Sequence, residues 1–190
     1  MKVAGFVLAG GQSSRMGQNK ARLPVDSRYL VEKIAETVLQ VTDTVVLVGQ
    51  PDLFTDLAIK CLPDMRSGFG PMAGLEAALM SAQSEPGDVL NVVVGCDMPG
   101  VRACWLEGLL KTAQDTGALC VAAKDAAGKT HPLCAVYQTA CLPFIQQALD
   151  ARRLRLTDLL ASVNALELPI GEVIANVNTP GEWAAWQAHS

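Results

Sequence analysis

Apolar residues follow two rhythms along this chain of 190 residues. Short, mostly apolar runs, Val3–Leu8, Thr44–Val48, Val89–Val94 and Leu119–Ala122, have the length of strands buried on both faces. Between them, apolar positions recur at helical spacing. Tyr29–Gln40 carries Leu30, Ile34 and Val38, with Val41 next in the series, and Met72–Ala82 and Trp105–Ala113 are similar. The last third is less regular: Ala140–Leu149 and Leu154–Ala161 read as helices, Val173–Val177 as extended chain and Gly181–Ala188 as a closing helix. Strands alternating with helices predict a mainly parallel sheet covered on both faces. With no internal repeat, low-complexity tract or long linker, the pattern predicts one α/β domain over residues 1–190.

Sheets of this kind bind ligands beyond the carboxyl ends of their strands. The segment directly after the first strand is the richest in chemistry: Leu8-Ala9-Gly10-Gly11-Gln12-Ser13-Ser14-Arg15-Met16-Gly17-Gln18-Asn19-Lys20. Glycines let the backbone approach a ligand, and successive N–H groups form an anion nest. Arg15 can fork onto two phosphate oxygens, and Lys20 supplies a compact charge. The spacing is neither G-x-x-x-x-G-K-[ST] nor G-x-G-x-x-G, so the segment is a phosphate cradle outside both common fingerprints.

A second cluster, Gly68-Phe69-Gly70-Pro71-Met72-Ala73-Gly74, contains a formal G-x-G-x-x-A match. Pro71 removes a donor where a pyrophosphate would want one. The segment therefore reads as a tight loop with proline in the first helical turn and Gly74 allowing close packing. Cys96-Asp97-Met98-Pro99 follows the valine-rich third strand, on the same sheet edge as the first loop. A carboxylate there must be exposed, paired or bound to metal. Magnesium, a hard cation held by one or two carboxylates plus substrate phosphates, suits Asp97, and an N-cap or loop role is the alternative. Asp64, after a short strand ending at Pro63, is a weaker second candidate.

Near the carboxy terminus, Asn176-Val177-Asn178 alternate along extended chain, so both amides can face one side. Thr179 and Glu182 form a capping-box pattern, with Pro180 at the first helical position. His131-Pro132 reads as a loop, and His189 is terminal. Ser13 and Ser14 lack a histidine partner and a nucleophile elbow, so serine hydrolysis is not indicated.

Charge refines the picture. A net charge of −4 and a pI near 5.1 argue against broad binding to nucleic acid or anionic membrane. An anionic substrate then needs a local basic patch: Arg15, Lys20 and Arg22, or Arg152, Arg153 and Arg155. The six cysteines form no C-x-x-C pair, which argues against zinc, and most sit among apolar residues as core. The amino-terminal apolar run is too short for a signal peptide and no run spans a bilayer, so the cytoplasm is the expected compartment.

The order of these pieces resembles the molybdenum cofactor guanylyltransferase family. Leu8-Ala9-Gly10-Gly11 through Arg15-Met16-Gly17 and Lys20 is similar to its signature loop, and Gly70-Pro71-Met72-Ala73-Gly74 to its second segment. Cys96-Asp97-Met98-Pro99, His131-Pro132 and Asn176-Val177-Asn178-Thr179-Pro180 follow in the family's order, so the resemblance covers essentially the whole chain. The first loop alone marks the wider nucleotidyltransferase superfamily; the double glycine and the late asparagines narrow it.

The resemblance implies a single Rossmann-like nucleotidyltransferase domain, a three-layer α/β/α fold whose mostly parallel central sheet is mixed. It implies transfer of GMP from GTP to the terminal phosphate of molybdopterin, with pyrophosphate released. By position, Leu8, Ala9, Gly10, Gly11 and Lys20 would hold GTP, and Asp64 would lie near the guanosine. Asp97 would bind Mg2+, while Asn176 and Asn178 would lie toward the pterin acceptor. GTP and molybdopterin are then the substrates, and contacts with other cofactor-biosynthesis or molybdoenzyme-maturation proteins are admitted. An ionised acceptor phosphate needs no general base. Arg15 and Lys20 would stabilise the departing pyrophosphate beside Asp97, and the arginines at 152, 153 and 155 either attract the acceptor or form a solvated helix face.

Two departures stand out. The family commonly has aspartate before the loop lysine, where this chain has Asn19, and a Gly-Lys or Gly-Arg turn where this chain has Asp26-Ser27-Arg28. The rival readings are a nucleotidyltransferase using CTP or a sugar phosphate, and a non-catalytic nucleotide-binding protein of the same fold.

Overall fold

The apolar runs show no polar face because their residues alternate between two buried faces. In the first strand Val7 and the following Ala9 enter one core, while Phe6 and Leu8 enter the other. In the third run Leu90, Val92 and Val94 face the first core, and Val89 and Val93 the second. Both layers are visible in a computed structural model, which describes residues 2–10, 19–83 and 89–188.

In chain order the elements are β1 (Lys2–Leu8), the short hairpin β2 (Pro24–Val25) and β3 (Arg28–Tyr29), α1 (Leu30–Leu39), β4 (Thr44–Gly49) and β5 (Cys61–Pro63). They continue with α2 (Pro71–Gln83), β6 (Val89–Gly95), α3 (Ala103–Thr116), β7 (Cys120–Lys124) and β8 (Thr130–Gln138). The last are α4 (Leu142–Asp150), α5 (Leu156–Ser162), β9 (Leu166–Pro169) and α6 (Pro180–Gln187). Seven strands form one sheet in the order β5-β4-β1-β6-β8-β7-β9. β8 runs antiparallel to both of its neighbours, and the other pairings are parallel. Helices α1 and α3 cover one face, and α2, α4 and α5 the other. This is the three-layer mixed sheet that the resemblance implies.

Local chemistry fixes the ends. Tyr29 N–H donates to the Glu32 carboxylate at 2.8 Å to open α1, and Gly117 closes α3 in the left-handed region. Gly5 is required by close approach: a Cβ there would lie 2.5 Å from Val38 Cγ1 on α1.

One expectation needs correction. His131-Pro132 is not a loop. It lies within β8, and His131 is buried, with its Nε2 2.8 Å from Asp125 Oδ2. A β-bulge explains how Pro132 is tolerated there. The β7–β8 register jumps from Ala122↔Ala135 to Ala123↔His131, so no ladder bond is asked of the proline. Val173–Val177 joins no sheet, and its Val177 N–H donates to the Asp97 carbonyl at 2.8 Å.

Candidate active site

Strand register builds the site. Leu8 at the end of β1 lies opposite Val48 on β4 and Gly95 on β6. The chains beyond them are stitched by Ala9 N–H to Val48 O at 2.8 Å and Cys96 N–H to Leu8 O at 3.0 Å. A cleft of about 270 Å³ opens above these ends, lined by Leu8, Ala9, Gly10, Lys20, Asp64, Asp97 and Asn178 among others. The structure therefore brings together most of the residues that sequence reasoning singled out. Gly11 and Arg15 lie outside the described residues, as do Ser13, Ser14, Gly17 and His189.

Small residues in the cleft make room for carboxylates. A Cβ on Gly10 would lie 2.9 Å from Asp64 Oδ2, and one on Gly74 would lie 3.2 Å from Asp64 Oδ1. A Cβ on Gly95 would lie 2.7 Å from Asp97 Oδ1. Gly74 thus permits close packing as expected, although its neighbour is an acid at the site. Burial pushes the Asp64 carboxyl above the usual carboxylate range. Gly68 and Gly70 both have positive φ, at 81° and 62°, and Pro71 opens α2. The formal G-x-G-x-x-A match is accordingly a turn into a helix, with Gly70, Pro71 and Gly74 on the cleft wall.

Lys20 begins a short 3-10 turn, Lys20–Arg22, whose N-cap is Asn19. The Asn19 Oδ1 accepts from Ala21 N–H at 2.9 Å. An aspartate would make the same bond, so the departure at this position preserves the cap. Arg22 extends the turn outward, forking onto Asp56 at 2.8 and 2.7 Å and stacking over Tyr29. Arg28, in the substituted turn, pairs with Glu36 on α1.

The carboxy-terminal segment straps across these parts. Asn176 Nδ2 donates to Asp97 Oδ2 at 3.1 Å, and Lys20 Nζ donates to Asn178 Oδ1 at 2.6 Å. Lys129 Nζ reaches Asn176 Oδ1 at 3.4 Å. The capping box is present, and Glu182 Oε2 also accepts from the backbone N–H groups of Asn178 and Thr179 at 2.7 and 2.9 Å. Asn176 and Asn178 thus each engage a charged residue of the site from one alternating segment.

Further residues shape the surroundings. Arg66 meets the buried Glu76 through two bonds of 3.0 and 3.1 Å and Asp150 at 2.6 Å, anchoring the loop before Gly68 to α2 and α4. Nothing in the sequence pattern pointed to that pair beyond an acid on an otherwise apolar helix. Arg152 stacks 5.4 Å over Phe69, and Arg153 lines a separate shallow recess with Asp158. A second recess of about 600 Å³ shares Asp64 and Gly70 with the cleft, giving a ligand room to extend past Asp64.

No group of three or more His, Cys, Asp and Glu side chains among the described residues is arranged to hold a metal alone. Burial pushes the Cys96 thiol up to about 12, so it offers no thiolate beside Asp97. The Asp97 carboxylate, in a cleft with Lys20, fits a hard cation that takes its remaining oxygens from a phosphate ligand.

The chain has relatives of known kind. A profile of the MobA-like NTP transferase domain matches residues 5–168. The probable molybdenum cofactor guanylyltransferase of Carboxydothermus hydrogenoformans is 31% identical over 93% of this chain and 91% of its own. That of Flavobacterium johnsoniae is 30% identical over 93% of this chain and 92% of its own. Among solved structures, molybdopterin-guanine dinucleotide biosynthesis protein A from Archaeoglobus fulgidus is similar at a TM-score of 0.80 and 25% identity, over 100% of this chain and 98% of that one.

Proposed function

The chain belongs to the family of MobA-like NTP transferase domains, and we propose that it transfers GMP from GTP to the terminal phosphate of molybdopterin. The products are molybdopterin guanine dinucleotide and pyrophosphate. The observation that carries this reading is one cleft holding Lys20, Asp64 and Asp97, in a chain about 30% identical to molybdenum cofactor guanylyltransferases over most of its length.

Residues 1–190 are read as one nucleotidyltransferase domain. GTP lies with its phosphates between Lys20 and Asp97, on the backbone of Leu8, Ala9, Gly10 and Gly11, and with its guanosine toward Asp64. Asp97 is the residue that would hold Mg2+, whose contribution when bound is to neutralise and align the triphosphate oxygens. Lys20, and Arg15 in the undescribed part of the loop, are the cations for the leaving pyrophosphate. Asn178 fixes the Lys20 ammonium through its carbonyl oxygen, and Asn176 steadies Asp97 while lying toward the acceptor.

The acceptor phosphate is ionised near neutral pH, so no side chain must remove a proton. His131, the one described histidine, is accordingly engaged with Asp125 rather than free for proton transfer. Catalysis is then positioning and charge stabilisation. Among the described residues no helix is long and apolar enough to cross a membrane, and the cytoplasm is the proposed compartment.

Pyrophosphate release with Mg2+ and molybdopterin, measured separately with GTP, CTP, ATP and UTP, tests the reading. GTP should be strongly preferred. Preference for CTP would move the chain to another nucleotidyltransferase activity, and no release with any nucleotide would make it a non-catalytic relative.

A further inference from the structure

Every arginine or lysine on the described surface that meets a carboxylate does so in an obvious structural tie: Arg22–Asp56, Arg28–Glu36, Arg66–Glu76, Arg102–Glu172, Lys111–Asp115 and Lys124–Glu167. Lys129 differs. It is exposed, it has no ion-pair partner among the described residues, and its ammonium reaches an amide that itself bonds the site carboxylate, Asp97.

Its placement is built rather than incidental. Lys129 ends the turn that joins β7 to β8. The turn is closed by Asp125 N–H to Lys129 O at 2.9 Å and Gly128 N–H to Asp125 O at 2.9 Å, with Gly128 at φ 81°. Lys129 N–H donates back to Asp125 Oδ1 at 2.9 Å. The other oxygen of that carboxylate meets His131 Nε2 at 2.8 Å, and the Asp125 and His131 side chains are only 3% and 2% exposed. A buried acid–histidine pair therefore sets the backbone of an exposed cation, and such preorganisation lowers the cost of ligand binding.

The direction of the amide is fixed as well. A lysine can only donate and a carboxylate only accepts. Asn176 must then turn its Oδ1 to Lys129 and its Nδ2 to Asp97, which is the arrangement seen. Two residues on, Asn178 Oδ1 meets the other site lysine, Lys20. Two extended residues span at most about 7 Å. One short segment thus carries a cation at each end, with Asp97 engaged between them through Asn176 and Val177 N–H.

In-line transfer at phosphorus needs positive charge on both sides of the reacting atom, one for the departing group and one for the incoming group. We propose that Lys129 binds the phosphate monoester of the acceptor and aligns it for attack. This rests on the transfer reaction under Proposed function. An acceptor phosphate oxygen forms the new bond to the α-phosphorus, and the bond from that phosphorus to the bridging oxygen breaks. Pyrophosphate leaves with the electron pair, and Lys129 keeps its proton throughout. Lys20 and Lys129 divide the work, serving the nucleotide and the acceptor respectively.

Steady-state kinetics of the intact protein with GTP, Mg2+ and molybdopterin test this, using Lys129→Gln and Lys129→Arg. Lys129→Gln should raise the KM for molybdopterin about tenfold or more, with the KM for GTP unchanged within about twofold. Lys129→Arg should recover most of that loss. An unchanged molybdopterin KM would overturn the assignment. A parallel rise in the GTP KM would also overturn it, showing that Lys129 only props Asn176 against Asp97. Absence of turnover in the wild-type protein would instead remove the underlying reaction, and the proposal with it, so the two failures are distinguishable.

Discussion

Gly95 carries a functional demand through what it lacks. The space that its Cβ would fill is occupied by Asp97 Oδ1, 2.7 Å away, with Leu133 Cβ 3.3 Å away on the other side. Gly95→Ala must therefore move the carboxylate, because the backbone ladder of β6 cannot yield. A displacement near 1 Å at a reacting centre costs on the order of 100-fold in rate. We expect that loss in kcat, with a thermal midpoint close to wild type; unchanged kcat would mean that Asp97 does not need its observed position. The cysteines give a second prediction at this scale. Burial pushes the thiols of Cys134 and Cys141 up to about 12, and that of Cys61 up to about 11. Cys104 is exposed. Since the thiolate is the reactive form, a small alkylating reagent at pH 8 should label Cys104 first and the buried thiols only after unfolding. Rapid labelling of Cys134 or Cys141 in the folded protein would contradict that burial.

At the scale of elements, the β7–β8 hairpin is where sequence and structure parted. Thr130–Gln138 is a nine-residue strand. Its first three residues are Thr, His and Pro, which read as a loop when periodicity is the guide. The strand survives because a bulge spares Pro132 from the ladder and Asp125 satisfies His131. Neither a bulge nor a partner six residues away is visible in an apolar pattern. That pair makes a pH prediction. The His131 ring beside it holds the Asp125 carboxyl below its ordinary value of 3.8. A depressed folded value contributes stability above the unfolded pKa, and that contribution is lost as pH falls through the folded value. Wild type should therefore be more stable than Asp125→Asn at neutral pH, with the gap closing as pH drops below about 4. Denaturant midpoints across pH 2–7 check this (a pH range set by carboxylate titration); a gap that persists unchanged at pH 2 would contradict it.

For the whole molecule, legibility followed burial on two faces. The valine-rich strand β6 and the apolar run β1 were readable because short runs of that composition suit strands buried on both faces, and Asp97 stood out as a charge just past one of them. The mixed direction of the sheet came only with the family resemblance, since β8 hides its antiparallel sense in the sequence. The late asparagines were legible as a pair on one side of extended chain. Their bonds to Asp97 and Lys20 depend on a strap that crosses 79 and 158 residues of sequence, respectively, and no local pattern encodes such contacts. The same distance explains the site's design: the 3-10 turn after β1 contributes Lys20, the end of β6 leads to Asp97, the carboxy-terminal strap contributes Asn176 and Asn178, and only the folded sheet edge brings them together.

The central claim is that Asp97, held by Asn176 at the end of β6, organises nucleotidyl transfer in this cleft. The most direct measurement is pyrophosphate release from GTP with Mg2+ and molybdopterin by wild type and Asp97→Ala, alongside their thermal midpoints. The account predicts that release is abolished in Asp97→Ala while the midpoint stays close to wild type. Near-normal release by the folded variant would contradict it.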